Sequence, residues 1–318
     1  MLDYPLVVII LSNYNGYSIY YKSQPILALC IDSLKSTSYK NYRIILADDC
    51  STDQSIEYVS VNYPYIEIIK NKINSKIAKN RNNAIRYALK NYNPTYLFLL
   101  NNDIIITDKD WLTKLVETAE LEKAGVVNGK LVYPDGRIQY AGGIFAIIPR
   151  NRGRGEIDNG QYNKIELLGW ACGGFSLIHR EVIEKIGLLD ENFLIGYEDI
   201  DYGIRAKNAG FKILYNGNVS AMHIEGCSST EYPDNKFKKD VFYMYQVGYV
   251  YFIFKHYNYI KRILALIVVI GAALLSVEGK DRPRRLVNIR LKDKILWRLG
   301  ISLMAILEGY RIFKKCYI

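Results

Sequence analysis

The feature that most constrains this chain is an alternation that fills its first 110 residues. Short apolar runs take turns with stretches whose apolar positions recur at helical spacing. Residues 6–11 (LVVIIL) read as a buried parallel strand that ends in the polar turn SNYNG. Residues 22–36 follow with Ile26, Leu27, Cys30, Ile31 and Leu34 on one helical face. Residues 42–47, 66–70 and 96–100 read as further strands, and 55–62 and 77–90 as the helices between them. Strand–helix–strand units of this length imply right-handed crossovers and a sheet covered on both faces, so the expected class is α/β. Ligands of such sheets bind beyond the carboxyl ends of the strands. The polar clusters after Leu11, Ala47 and Leu100 all fall there.

Beyond this region, residues 125–165 are rich in Gly, Arg and Asn and read as irregular strands and loops. Short helices are expected at 181–187 and 198–209, a strand at 212–215, and helix from about 236 to the end. The interruption at 228–234 (SSTEYPD) places the boundary between a domain at 1–235 and a helical region at 236–318.

Charge supports that division. The formal net charge is +10, yet residues 1–254 hold 28 Lys+Arg and 28 Asp+Glu, whereas residues 255–318 hold 14 and 4. A neutral body with a basic tail does not fit a nucleic-acid-binding protein; it fits an enzyme held beside something anionic. Residues 263–277 are an apolar run of fifteen, short of the ~20 a spanning helix requires. Lys261 and Arg262 precede it and KDRPRR (280–285) follows, while 242–254 is dense in Tyr and Phe and 295–307 is amphipathic around Trp297. This composition suits helices lying in an anionic membrane surface, the alternative being a helix packed on the catalytic domain. The five cysteines (Cys30, Cys50, Cys172, Cys227, Cys316) are scattered without a CxxC pair, so neither a disulfide framework nor a zinc site is expected. The first residues lack the basic and apolar pattern of a signal peptide, and a cytoplasmic enzyme at the membrane face is the expectation.

Three acidic clusters carry candidate chemistry. Asp48 and Asp49 follow a strand and can accept hydrogen bonds from a nucleobase or ribose, while Asp53 can equally cap the next helix. Asn101, Asn102 and Asp103 end another strand and offer oxygen donors to a hard divalent cation. Glu198, Asp199 and Asp201 open a helix. There Asp201 can pair with Arg205 at i, i+4, and Asp199 is free to act as a general base. His223 is either structural or a metal ligand.

The order of these segments is more telling than any one of them. VVIILSNYNG (7–16), ADDCSTD (47–53), AKNRNNA (78–84) and LLNND (99–103) succeed one another. YPDG (133–136), AGG (141–143), GWACGGF (169–175), GLLDENF (187–193), YEDIDYGIR (197–205) and His223 then follow. This series resembles the family 2 inverting glycosyltransferases of GT-A fold, a Rossmann-like mixed sheet with helices on both faces. Within them it is most similar to the rhamnosyltransferase-like branch that builds cell-surface polysaccharides. The resemblance runs from residue 5 to about 230. It implies transfer of one sugar from a nucleotide-diphosphate sugar to a hydroxyl of a glycan or lipid-linked glycan, with Mg²⁺ or Mn²⁺ as cofactor.

The resemblance also implies roles for individual positions. Asp199 matches the general base; Asp103, His223 and Asn101 match the metal site. Ser12, Asn15, Asp48, Asp49, Arg81, Asn82 and Asn102 match the nucleotide-sugar pocket. Trp170, Gly173, Gly174, Glu198 and Asp201 match the acceptor side. Asn101 and Asn102 depart from the aspartates of many relatives, which implies weaker cation binding, and Ala84 replaces a common glycine. No Gln-x-x-Arg-Trp sequence occurs, which favours single transfer over processive synthesis. The alternatives are another hexosyl- or galactofuranosyltransferase of this fold, or a non-catalytic partner that binds sugar nucleotides.

Overall fold

The structure, a computed structural model, describes residues 4–145, 148–224, 235–274 and 291–317. The expected boundary at 228–234, Cys227, residues 275–277 of the apolar run and the basic stretch 280–285 lie outside the described residues.

In chain order the elements begin with β1 (Val7–Asn13), the short ribbon β2 (Tyr20–Tyr21) and β3 (Gln24–Pro25), then α1 (Ile26–Lys35). β4 (Tyr42–Asp48), α2 (Ser55–Asn62), β5 (Glu67–Lys70), α3 (Lys76–Tyr92) and β6 (Tyr96–Asn101) complete the alternating half. There follow β7 (Ile104–Ile105), α4 (Trp111–Glu122), β8 (Ala124–Val132), β9 (Ile138–Tyr140), β10 (Gly143–Ile144), β11 (Arg150–Asn151) and β12 (Ile165–Leu167). β13 (Phe175–His179), α5 (Arg180–Ile186), α6 (Glu198–Asn208) and β14 (Lys212–His223) finish the sheet region. Three helices close the chain: α7 (Asn235–His256), α8 (Tyr259–Leu274) and α9 (Leu291–Tyr317).

Ten strands make one mixed sheet with the path β12-β14-β8-β13-β6-β1-β4-β5, while β7 adds to β14 and β9 to β8. β1 runs parallel to both β4 and β6, and all seven of its residues are buried. Burial of each of its aliphatic side chains contributes about 1.5–3 kcal/mol. β13 is antiparallel to β6 and β8, which makes the sheet mixed. The shared register sets Ser12 beside both Ala47 and Asn101, and Asn13 beside Asp48. The carboxyl ends of β1, β4 and β6 therefore form one polar ledge.

Two stretches differ from the sequence expectation. Residues 124–132, expected to be irregular, form a nine-residue strand within the sheet. Its glycines serve close approach: a Cβ on Gly129 would stand 2.5 Å from the Phe175 ring, and one on Gly125 2.7 Å from Val182. The strand expected at 212–215 continues to His223, crossing a register irregularity between Asn216 and Ser220.

The chain divides into two compact units. One comprises Met1–Phe145, Pro149–Glu191 and Glu198–Pro233; the other holds Asp234–Ile318 together with the segments Ala146–Ile148 and Asn192–Tyr197. Within the second unit α9 packs on α7 and α8. The Tyr197 ring stacks on Tyr249 at 5.1 Å and packs against Tyr245 and Phe252. Tyr197 has φ +70°, a left-handed conformation that costs a side chain of this size energy and that surrounding packing must hold. Among the described residues no helix is long and apolar enough to cross a membrane.

Candidate active site at the carboxyl ends of the strands

Three consecutive polar residues on α3, Asn80, Arg81 and Asn82, are all buried, which amphipathic patterning does not explain. Each has its own partners. Asn80 donates to the Ala47 carbonyl at 2.7 Å, binding α3 to β4. Asn82 holds the 187–193 loop: it donates to the Leu189 carbonyl and to Glu191, and accepts from the Leu189 amide. Arg81 turns to the ledge, donating to Ser12 Oγ at 3.1 Å and to Asn101 Oδ1 at 2.7 Å, with Glu198 Oε1 at 3.6 Å.

The helix α6 begins at this guanidinium. Asp199 Oδ2 accepts from the Gly173 amide at 2.9 Å, and Oδ1 from the Ile200 amide at 2.8 Å. A Cβ on Gly173 would meet Asp199 Cβ at 2.8 Å and Arg81 Nη1 at 2.9 Å, so only glycine lets the 169–175 loop pass this close. Asp199 also lines a small void with Leu99, Val126, Ala171, Ile178 and Leu189. Burial raises its carboxyl above the ordinary range, against the downward pull of the two amides and Arg81. Burial and then the Asp199 charge push Glu198 up to about 7, with Arg81 opposing. Glu198 Oε2 is buried and has no hydrogen-bond partner among the described residues. Asp201 is fully buried and pairs with Arg205 at 2.8 Å, the i, i+4 pair expected from sequence. Arg205 in turn donates to the carbonyls of Ile186 and Leu188.

Among the residues expected at the nucleotide pocket, Asp48 is fully buried and accepts from Asn13, from the Ser51 amide and from Ser51 Oγ. Asp49 accepts from Asn71, Ser75 and the Lys76 amide at the start of α3. Asn15 Oδ1 accepts from the Thr52 amide, and Asn102 donates to Asn13 Oδ1. Asp53 accepts from the amides of Ser55 and Ser18, tying the start of α2 to the β1 loop.

Asp103 and His223 meet: Nε2 of the imidazole stands 3.0 Å from Asp103 Oδ1. The backbone fixes this, since His223 pairs with Ile104 and the Ile224 amide donates to the Asp103 carbonyl. Asn101 does not join them, its side-chain oxygen accepting from Arg81 instead. Among the described residues no further His, Cys, Asp or Glu completes a metal-binding group. One carboxylate and one imidazole nonetheless suit a divalent cation that takes its other ligands from a diphosphate and water, and imidazole favours Mn²⁺ over Mg²⁺.

Of the residues expected on the acceptor side, Trp170 is buried, donating to the Ile144 carbonyl with its ring against Gly143. Gly174 lies against the Asn101 side chain. Two residues that escaped the sequence reading organise this region. Asn128, fully buried on β8, donates to the carbonyls of Cys172 and Phe175 and accepts from the Cys172 amide. Gln139 contacts His223 Nδ1 at 2.6 Å. The available signal was a polar residue inside an apolar strand, and it needed strand assignments that the glycines of 124–132 concealed.

Comparison with known proteins agrees with this geometry. The model of Glycosyl transferase family 2 matches residues 9–187. The chain is 27% identical over 218 residues to the O-antigen biosynthesis protein RfbC of Myxococcus xanthus, covering 65% of this chain and 17% of that protein. It is 22% identical over 234 residues to the N-acetylglucosaminyl-diphospho-decaprenol L-rhamnosyltransferase of Mycobacterium tuberculosis, covering 67% and 76%. The chain spans less than two thirds of several curated relatives it matches, as little as 17%. Among solved structures, GalNAc-T7 with UDP, GalNAc and Mn²⁺ shares the fold at TM-score 0.61 and 15% identity, over 99% of this chain and 58% of that one. The mannosyltransferase PcManGT of Pyrobaculum calidifontis, with GDP-Man and Mn²⁺, gives TM-score 0.53 and 14% identity over 98% and 74%.

Proposed function

The chain belongs to glycosyl transferase family 2, and from that premise we propose that it moves one sugar from a nucleotide-diphosphate sugar to a hydroxyl of a glycan or lipid-linked glycan, with inversion. The observation that carries this reading is Asp199: a half-buried carboxylate of raised pKa, held by two amides at a helix start beside the ledge of strand ends. A base so held takes the acceptor's proton while the oxygen attacks the anomeric carbon, and the nucleoside diphosphate departs from the opposite face. Arg81, which stands 3.6 Å from Glu198 and whose charge draws the Asp199 carboxyl down, is placed to face the departing charge. A divalent cation, Mg²⁺ or Mn²⁺, bound at Asp103 and His223 would supply charge neutralisation for the leaving diphosphate. Similarity to the mycobacterial L-rhamnosyltransferase and to the O-antigen protein supports rhamnose as the sugar and a cell-surface polysaccharide as the product.

The site of action is the cytoplasmic face of the membrane, with the enzyme bound peripherally. Ile260, Ile263, Leu264 and Ile267 form an exposed apolar row on α8, and Leu303 and Leu307 another on α9. Lys261, Lys314 and Lys315 are exposed on the same helices, and the sequence between the helices is strongly basic. An apolar row flanked by cations matches the headgroup region of an anionic bilayer, at about 1 kcal/mol per basic residue near the surface.

The deciding experiment incubates the protein with a panel of nucleotide sugars and a lipid-linked acceptor and follows nucleotide release and product stereochemistry. Asp199→Asn is expected to fold as wild type and to lose about 10²–10⁴-fold in transfer. Undiminished transfer by that variant would remove Asp199 from the mechanism.

A further inference from the structure

We infer that Gln139 is a positioning residue for the cation site: it fixes the His223 ring so that Nε2, and not Nδ1, is presented beside Asp103. The inference rests on reading Asp103 and His223 as a cation site. Gln139 is 3% exposed and sits on β9 between Ile138 and Tyr140, whose side chains are equally enclosed. Its Oε1 lies 2.6 Å from His223 Nδ1, and on the other side of the ring Nε2 lies 3.0 Å from Asp103 Oδ1. An amide oxygen accepts and cannot donate, so the first contact requires the hydrogen on Nδ1. A carboxylate likewise only accepts, so without a cation Nε2 carries a hydrogen toward Asp103 Oδ1; a cation bound there would take that hydrogen's place on Nε2, with the carboxylate beside it. Imidazole ligands generally depend on such a partner at the second nitrogen, and its loss costs 10–100-fold in metal affinity.

The frame around the ring is stiff enough for one amide to matter. β9 is bonded to β8 through Leu131–Tyr140 and Val132–Ile138, and β8 to β14 through Val132–Met222, next to His223. β7 fixes Asp103 from the opposite edge through the Ile104–His223 pair. Gln139, His223 and Asp103 are thus carried by adjoining strands, and the ring's remaining freedom is rotation about its own side-chain bonds. The Gln139 contact removes it.

The test measures Mn²⁺ affinity, from the paramagnetic resonance signal of free Mn²⁺, for the wild type, Q139L, Q139E, H223A and D103A. It also records ¹⁵N spectra of histidine-labelled protein, tractable because the chain has 3 histidines. Q139L is expected to bind Mn²⁺ about 10–100-fold more weakly and to lose the protonated Nδ1 signal, whereas Q139E, which still accepts from Nδ1, keeps both. Wild-type affinity in Q139L alongside weakened binding in H223A and D103A overturns the role of Gln139 alone. Wild-type affinity in H223A and D103A overturns the cation reading, and this inference with it. Should Q139L not fold, Q139E decides: a retained Nδ1–H signal with Mn²⁺ affinity lowered more than about tenfold overturns the positioning role.

Discussion

Replacing Glu198 with Gln should flatten the dependence of stability on pH. The Glu198 carboxyl is 6% exposed, and burial with the neighbouring Asp199 charge lifts it from its ordinary 4.5 to about 7. One pKa unit corresponds to about 1.4 kcal/mol, so ionising this group in the folded chain costs roughly 3 kcal/mol more than in the unfolded chain. Between those two values the folded state keeps a proton that the unfolded state has released. The stabilisation is therefore complete below 4.5 and lost as pH rises through 7. Glutamine cannot ionise, and it occupies nearly the same volume against Arg81. Asp199, whose carboxyl is also raised, is present in both proteins and contributes to both curves in the same direction. Urea unfolding of the wild type and Glu198→Gln from pH 4.5 to pH 8 should show their difference moving by about 3 kcal/mol in favour of the variant at the alkaline end. A difference that stays level to within about 0.5 kcal/mol would refute the argument that Glu198 is held protonated by its surroundings.

Three further outcomes follow from the same geometry. Gly173→Ala places a Cβ 2.8 Å from that of Asp199 and should lower kcat about 100-fold and the melting temperature with it, measured by donor turnover and calorimetry. Asn128→Leu leaves the Cys172 and Phe175 carbonyls and the Cys172 amide without partners, at about 1–3 kcal/mol each. It should raise KM for acceptor while KM for donor stays constant, as initial-rate kinetics at varied acceptor would reveal. Ile260→Glu with Ile267→Glu should abolish co-sedimentation with vesicles rich in phosphatidylglycerol and leave soluble-acceptor turnover intact; equal sedimentation of both proteins would dismiss the membrane face.

The parts legible in the sequence were those whose periodicity had one cause. β1, β4 and β6 are apolar because both faces of the sheet are covered, so their spans stood out within one or two residues. α2 and α6 likewise show helical spacing or charge pairing within one turn. β8 was obscured because Gly125 and Gly129, which read as breakers, are there to admit Phe211 and Phe175 at close range. β14 was cut short in the reading because Asn216-Gly-Asn resembles a turn, yet the chain passes it as an irregularity and carries on to His223. At the site, the pairing of Asp201 with Arg205 was local and readable. The pairing of Arg81 with Glu198 joins residues far apart in the chain, on two helices that only the tertiary fold brings together. Gln139 left no local mark, since its partner is on a strand that enters the sheet over eighty residues later.

The left-handed Tyr197 has a practical bearing on how the protein can be handled. Its ring is clamped by Tyr245, Tyr249 and Phe252 of α7, and the next two residues in the chain are Glu198 and Asp199. Shortening the protein before Asn235 to obtain a tidier fragment would delete none of the residues proposed to meet the sugar donor. It would, however, release the clamp one residue upstream of α6, on which the proposed base Asp199 stands, and Tyr197 would relax toward an ordinary backbone conformation. On the proposed assignment such a fragment should still bind nucleotide yet turn over poorly, and its failure would be misread as loss of membrane contact when the injury is to the residue that leads into α6.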